Sequence, residues 1–170
     1  MNTVGRLFGR YISNLPDGRL QWIGLRPARK QAMVEVDAVM AMAEMGLEGD
    51  RRCEGTKGSS RQVTIISEEY IDLIAKFTGR DHIAPSVLRR NLVVEGINLT
   101  ALRHQRFTIG EAEFEATAQC HPCVRMEQAL GAGGVAAMLG HGGLCAKILK
   151  TGTIRVGDKV SLIKAQGDLF

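Results

Sequence analysis

A chain of 170 residues is long enough for one domain with its own core and short for two, so residues 1–170 are expected to form a single domain. Hydrophobic residues make up 45% and charged residues 24%, the balance of a soluble globular protein, which excludes a disordered chain. The net charge of +4 admits an anionic ligand, whereas aromatics at 5% without aromatic-basic interleaving argue against a nucleic-acid partner.

Met1–Arg6 lacks the apolar stretch of a signal peptide and no run approaches membrane-spanning length, so the expectation is a cytoplasmic protein with no membrane partner. Four cysteines in that setting read as reduced thiols. Arg6–Ile12 predicts a strand, Pro16-Asp17-Gly18 a turn in which glycine takes a positive dihedral, and Leu20–Leu25 a second strand. Met33–Met42 alternates as one strand, with Val34, Val36, Ala38, Met40 and Met42 on a common face, although its Ala and Met residues would equally suit a helix. Gly46–Arg52 breaks that pattern. The small-residue loop Gly55–Arg61 can form an anion nest with Lys57 and Arg61 adding charge, or a plain surface loop; its spacing is not that of a P-loop.

Gln62–Ile66 predicts a buried strand, followed by a helix with Ser67 as cap, Glu68 and Glu69 in its first turn, Ile71, Ile74 and Phe77 as its core face, and Gly79 as its stop. Pro85–Asn91 is a polar connection into the strand Leu92–Val94. Arg103–Ile109, a turn at Gly110, and Ala112–Ala118 predict a hairpin. A helix after Cys123 carries an apolar stripe of Val124, Met126, Ala129 and Leu130. Gly131–Gly143 then holds six glycines around Val135–Leu139, a short helical piece between flexible joints, and strands follow at Leu144–Leu149, Ile154–Val156 and Val160–Ile163. Many short strands with few helices predict a mostly β architecture, a mainly antiparallel barrel or folded sheet with inserted helices.

The chemistry concentrates at Cys120-His121-Pro122-Cys123, between a strand and a helix. A thiol on the first helical turn, with Arg125 nearby, is favoured as thiolate by the helix dipole and the positive charge. Three readings of the residues stand beside one another. Cys120 and Cys123 can be small apolar core side chains. They can be a dithiol of the thioredoxin type, although such a motif ordinarily follows the first strand and here falls late. Together with His141 and Cys145 they also have the spacing of a zinc site.

A wider set of motifs follows in order: Gly46-Leu47-Glu48-Gly49-Asp50-Arg51, Arg61-Gln62-Val63, Leu88-Arg89-Arg90-Asn91-Leu92-Val93-Val94-Glu95-Gly96-Ile97, Ile109-Gly110, Cys120-His121-Pro122-Cys123 and Gly152-Thr153-Ile154-Arg155-Val156-Gly157-Asp158. Taken together they resemble a MOSC domain, the module named from the C-terminal part of molybdenum cofactor sulfurase, over about residues 45–162. The resemblance implies a β-barrel-type fold that binds the molybdenum cofactor, with Cys123 as the molybdenum ligand and reactive centre. It implies Arg89, Asn91, Arg61 and Lys57, with Arg90 and His121 beside them, as residues that hold the cofactor. Arginine suits that task because its planar fork donates in pairs to phosphate and to heterocycle oxygens. The implied activity is reduction of N-hydroxylated or N-oxide small molecules by oxygen-atom transfer, or cofactor or persulfide transport without turnover. No pyridoxal-phosphate domain and no ferredoxin-type cysteine motif accompany the chain, so an external electron donor or a sulfur-transfer protein is the expected partner.

Overall fold

The computed structural model describes residues 3–164. In chain order it contains α1 (Thr3–Ile12), β1 (Gly18–Leu25), β2 (Val34–Val36), β3 (Ala38–Met42), β4 (Gly46–Leu47), a 3-10 turn (Arg51–Glu54), β5 (Val63–Ser67), α2 (Glu68–Phe77), α3 (Pro85–Leu88) and β6 (Leu92–Glu95). There follow α4 (Leu99–Leu102), β7 (Arg106–Ile109), β8 (Ala112–Gln119), α5 (Val124–Leu130), α6 (Gly134–Met138), β9 (Leu144–Lys150), β10 (Gly152–Arg155) and β11 (Lys159–Leu162).

The main sheet runs β11-β7-β8-β9-β5-β6-β1-β2, and β1 also pairs β11, so the first seven of these eight strands close into a barrel. The seal is Gly18 opposite Val160 and Arg19 opposite Lys159. Further along β1, β2 pairs through Ile23 and Val36. Every pairing in the ring is antiparallel except β5 with β6. β3, β4 and β10 make a separate three-stranded sheet.

Two apolar clusters explain which strands are continuously hydrophobic. Leu20, Ile23, Ile65, Leu92, Val94, Phe107, Phe114 and Val160 fill the barrel. Trp22, Ile66 and Val93 point the other way and pack with Ile71 and Ile74 of α2, Met126 and Leu130 of α5, and Met138 of α6. β5 and β6 are therefore covered on both faces, which is why their runs do not alternate. β8 does alternate, with Ala112, Phe114 and Ala116 buried and Glu113 and Glu115 half-buried between them. Phe114 lies opposite Phe107 in the hairpin and the rings stack at 5.5 Å.

The predicted mostly β fold with inserted helices is the observed one, as are the Ser67 cap and the α2 stop. Ser67 Oγ accepts from the Tyr70 amide at 3.1 Å, and Gly79, at φ +68°, lets Arg80 N donate to Ala75 O at 2.9 Å. Several details differ from the expectation. Residues 6–12 are helical rather than a strand; Leu7, Phe8, Tyr11 and Ile12 recur at one- and four-residue steps, a spacing that suits a helix. The chain turns at Ser13–Asn14, and Gly18 opens β1, where a Cβ would collide with the Glu95 carbonyl and Ile97; glycine there provides room, not a positive dihedral.

The expected strand over Met33–Met42 is broken at Asp37 and its halves join different sheets, so the buried face switches from Val36 to Val39 and Ala41. Phe77 is 60% exposed and Ala75 completes the α2 core face, because the helix rotates Phe77 past the edge of the packing layer. The short helix α3 occupies part of the segment that reads as a connection, and α4 lies where the sequence predicts no element.

Candidate functional site

The site is built on a buried carboxylate. Asp50, whose side chain is 1% exposed, precedes the 3-10 turn and accepts from Arg26 N at 2.8 Å, Arg26 Nε and Nη2 at 3.2 Å each, Arg52 N at 2.9 Å and Asn91 Nδ2 at 2.9 Å. Burial alone pushes its carboxyl up. The hydrogen bond and charge of Arg26, with the backbone amides of Arg26 and Arg52, outweigh burial and hold it below the usual range. Asn91 completes this floor: its amide also donates to Gly24 O at 3.0 Å, and its carbonyl accepts from Thr64 N and Oγ1 at 3.2 Å.

Beside this floor opens a cavity of about 640 Å³, within the range of small-molecule and cofactor sites. Seven arginines line it, Arg26, Arg29, Arg51, Arg52, Arg61, Arg89 and Arg90, against one acidic residue, Glu54. Arg52 secures one wall, donating to Ser59 Oγ at 2.8 Å and to the Arg61 carbonyl, which ties the small-residue loop to the 3-10 turn. Arg89 has a left-handed backbone, φ +57°, and one donor to Gln31 O at 2.8 Å. The side chains of Arg29, Arg51 and Arg61 have no hydrogen-bond or ion-pair partner among the described residues. Burial, then the positive charges of Arg125, Arg26 and Arg51, lower the Arg89 guanidinium from its ordinary value, a sign of positive charge the protein does not itself neutralise.

Two thiols complete the wall, Cys120 and Cys145. Cys120 follows the last residue of β8 and its amide donates to Gly143 O at 2.8 Å. Cys145 lies in β9 opposite Ala118, so it shares a face with Cys120 in the cavity wall. The neighbouring Cys145 thiol, opposed by burial and helped by the charges of Arg90, Arg61 and Arg26, brings the Cys120 thiol down to about 6, while Cys120 and burial push Cys145 up. Of the two, Cys120 is the thiol that loses its proton more readily. Buried Arg90 clamps the surroundings, donating to Gly142 O at 2.9 Å, Leu88 O at 3.0 Å and Cys120 O at 3.3 Å.

The MOSC domain family model matches residues 51–161, well over half of the chain. The chain belongs to the MOSC domain family. Its fold is that of the YuaD protein from Bacillus subtilis, with a TM-score of 0.75 at 20% identity over 90% of this chain and 99% of that one. YiiM from Escherichia coli is also similar, with a TM-score of 0.65 at 20% identity over 88% of this chain and 72% of that one. YiiM from Geobacillus stearothermophilus gives a TM-score of 0.68 at 14% identity over 89% and 77%. No curated protein matches. β1 lies outside the matched stretch, yet it closes the barrel of this MOSC domain.

Of the residues singled out in the MOSC motifs, the fold brings Arg61, Arg89 and Arg90 together in the cavity. Asn91 lies behind it, 1% exposed, with every polar group of its side chain committed to the floor. Lys57 stands apart in an exposed ion pair with Glu44 at 3.4 Å. His121 lines a smaller pocket with Gly140 and Gly142. Cys123 is exposed at the N-cap of α5 and is not among the residues lining the main cavity.

The zinc reading is not supported: among the described residues no three His, Cys, Asp or Glu side chains gather as a metal site requires. Nor are the glycines near the site mere joints, since a Cβ on Gly142 would overlap Cys120 O and one on Gly143 would overlap Ile65 O. Arg26 and Arg29 were not legible as site residues, and Cys145 was legible only as a zinc ligand. Arg26 and Arg29 flank a proline after β1 without a recognisable spacing, and Cys145 sits in a strand that reads as core. Among the described residues no helix is long and apolar enough to cross a membrane.

Proposed function

We propose that this MOSC domain holds a molybdenum cofactor in the arginine-lined cavity and reduces N-hydroxylated or N-oxide compounds. The observation that carries the reading is the cavity itself: about 640 Å³ with seven arginines, several with free donors, and one acidic residue. Such a donor set fits a phosphate-bearing planar heterocycle, which needs charge neutralisation and paired in-plane donors. When bound, the cofactor supplies two-electron oxygen-atom transfer chemistry.

The protein's part is binding and orientation. Arg29, Arg51 and Arg61 offer unpaired guanidinium donors to the anionic end, and Arg89 adds those not bound to Gln31 O. Arg26 is fixed by Asp50, and Arg90 by three carbonyls, so they present charge without moving. Cys123, exposed and with no capping hydrogen bond from its side chain, is the soft ligand expected for molybdenum. Electrons come from an external donor. The exposure of Cys123 also favours a second reading, a carrier that passes the cofactor or a persulfide to another protein.

Elemental analysis of the purified protein and of Cys123→Ser and Cys120→Ser, with turnover of 6-hydroxylaminopurine under a chemical reductant, tests both. Molybdenum in the wild type, lost in Cys123→Ser and largely retained in Cys120→Ser, with turnover, is the expected result. Full loading without turnover of any N-hydroxylated base or amidoxime removes the reductase reading and leaves the carrier; absence of molybdenum after expression with the cofactor removes the reductase and the cofactor carrier, and absence of a sulfur adduct on Cys123 by intact-protein mass spectrometry removes the persulfide carrier.

A further inference from the structure

We propose that Cys120 and Cys145 form a dithiol in the cavity wall that hydroperoxides oxidise to an intrachain disulfide, with Cys120 as the attacking sulfur and Cys145 as the resolving one. The pairing crosses the expected motif. Cys123, the other half of Cys-x-x-Cys, caps α5 in an exposed position, whereas Cys145 comes from the neighbouring strand and lines the same cavity wall as Cys120. Cys53 is engaged elsewhere, donating to Leu47 O at 2.9 Å.

Three features fit the pair to this chemistry. Cys120 is partly exposed and lines the cavity, so a small peroxide reaches it; Cys145 also lines the cavity but is 1% exposed, so a larger reagent does not. Cys120 faces Arg90, Arg61 and Arg26 as well as Cys145, and with its thiol brought down to about 6 it is the sulfur suited to attack a peroxide. The backbone allows closure. With Ala118 opposite Cys145 and Cys120 N bonded to Gly143 O, the two cysteines are diagonal cross-strand neighbours, whose spacing of about 7–8 Å lies just beyond the usual disulfide range. The ladder already shifts between Ala116 and Ala118, and residues 120–123 have no regular structure, so Cys120 can make that small approach.

In the first step the Cys120 thiolate attacks the O–O bond. A sulfur-oxygen bond forms, the alkoxide or hydroxide leaves and takes a proton from solvent, and the sulfur is oxidised by two electrons to a sulfenic acid. In the second, the Cys145 sulfur attacks Cys120; the sulfur-sulfur bond forms, the sulfur-oxygen bond breaks, and water departs carrying the Cys145 proton. A small-molecule thiol reverses the pair to two thiols. The disulfide removes the thiolate that faces the arginines. The inference stands apart from the molybdenum reading, because it needs only the chain.

The test treats the full chain, as purified, with hydrogen peroxide at neutral pH, blocks remaining thiols by alkylation, and assigns each cysteine by peptide fragmentation. The expected product has lost two hydrogen atoms and joins Cys120 to Cys145. In Cys145→Ala and Cys145→Ser the link is absent and dimedone traps a sulfenic acid on Cys120, and the pH midpoint for Cys120 alkylation rises above that of the wild type. A Cys120–Cys123 link in the wild type, or Cys120 still reduced at a dose that oxidises Cys123, overturns the proposal, and neither outcome depends on any variant folding.

Discussion

At the scale of single residues, Asp50 does more than its exposure suggests. Its carboxylate gathers Arg26, Asn91 and the amide of Arg52, three groups from separate segments, at the edge of the cavity. Replacing it with Asn leaves Arg26 without its counter-charge, and removing one partner of a buried pair costs roughly 3–5 kcal/mol, toward the lower end here because Arg26 is 18% exposed. Chemical denaturation of Asp50→Asn is expected to show that loss. The pH dependence has a definite sign. The folded carboxyl is held below its unfolded value of 3.8, so its contribution is present above that value and disappears as pH falls through it toward the lower folded value. Thermal melts below about pH 4 should therefore fall more steeply for the wild type than for Asp50→Asn.

At the scale of elements, the segment joining α6 to β9 shows how close packing positions chemistry. Gly143 has φ +93° and its α-carbon abuts the β5 backbone at Ile65, so its carbonyl is fixed where it accepts from Cys120 N. Gly140 has φ +80° with open space around it. Gly140→Ala is expected to cost only the left-handed penalty, about 1–2 kcal/mol, whereas Gly143→Ala adds a backbone collision and should cost clearly more. Equal stabilities of the two variants by denaturation would contradict this account of the segment. The β8 bulge acts similarly, shifting the ladder just before the strand delivers Cys120 to the wall.

Across the whole molecule, charge is unevenly placed. The net charge is only +4, yet seven of the 22 lysines and arginines line one cavity. Clustered like charges with low-dielectric walls focus the field on anions. A multivalent anion such as inorganic pyrophosphate should therefore bind the folded state and raise its melting temperature. At a hundredfold excess over Kd the gain is about 2.7 kcal/mol, and a domain of this size shifts about 2–4 °C per kcal/mol. Calorimetry should find this shift reduced by added sodium chloride, because salt screens charge, and absent when Arg61 and Arg89 are both changed to Ala.

Local pattern determined much of the fold. Ser67 with its acidic followers, the Gly79 stop, the β7–β8 hairpin and the apolar runs of β5 and β6 each carry their signal within a few residues, because caps, turns and period-two burial are short-range physics. The motif order likewise announced the family and three of the cavity arginines. What local pattern could not decide was set by packing between distant segments. Where Met33–Met42 broke, and which faces of α2 and β3 went inward, depended on partners elsewhere in the chain. The same holds for the site. Asn91 lies in the floor, Arg26 and Arg29 join the cavity from the end of β1, and Cys120 meets Cys145 rather than Cys123, because strand register, not sequence spacing, determines which side chains share a face.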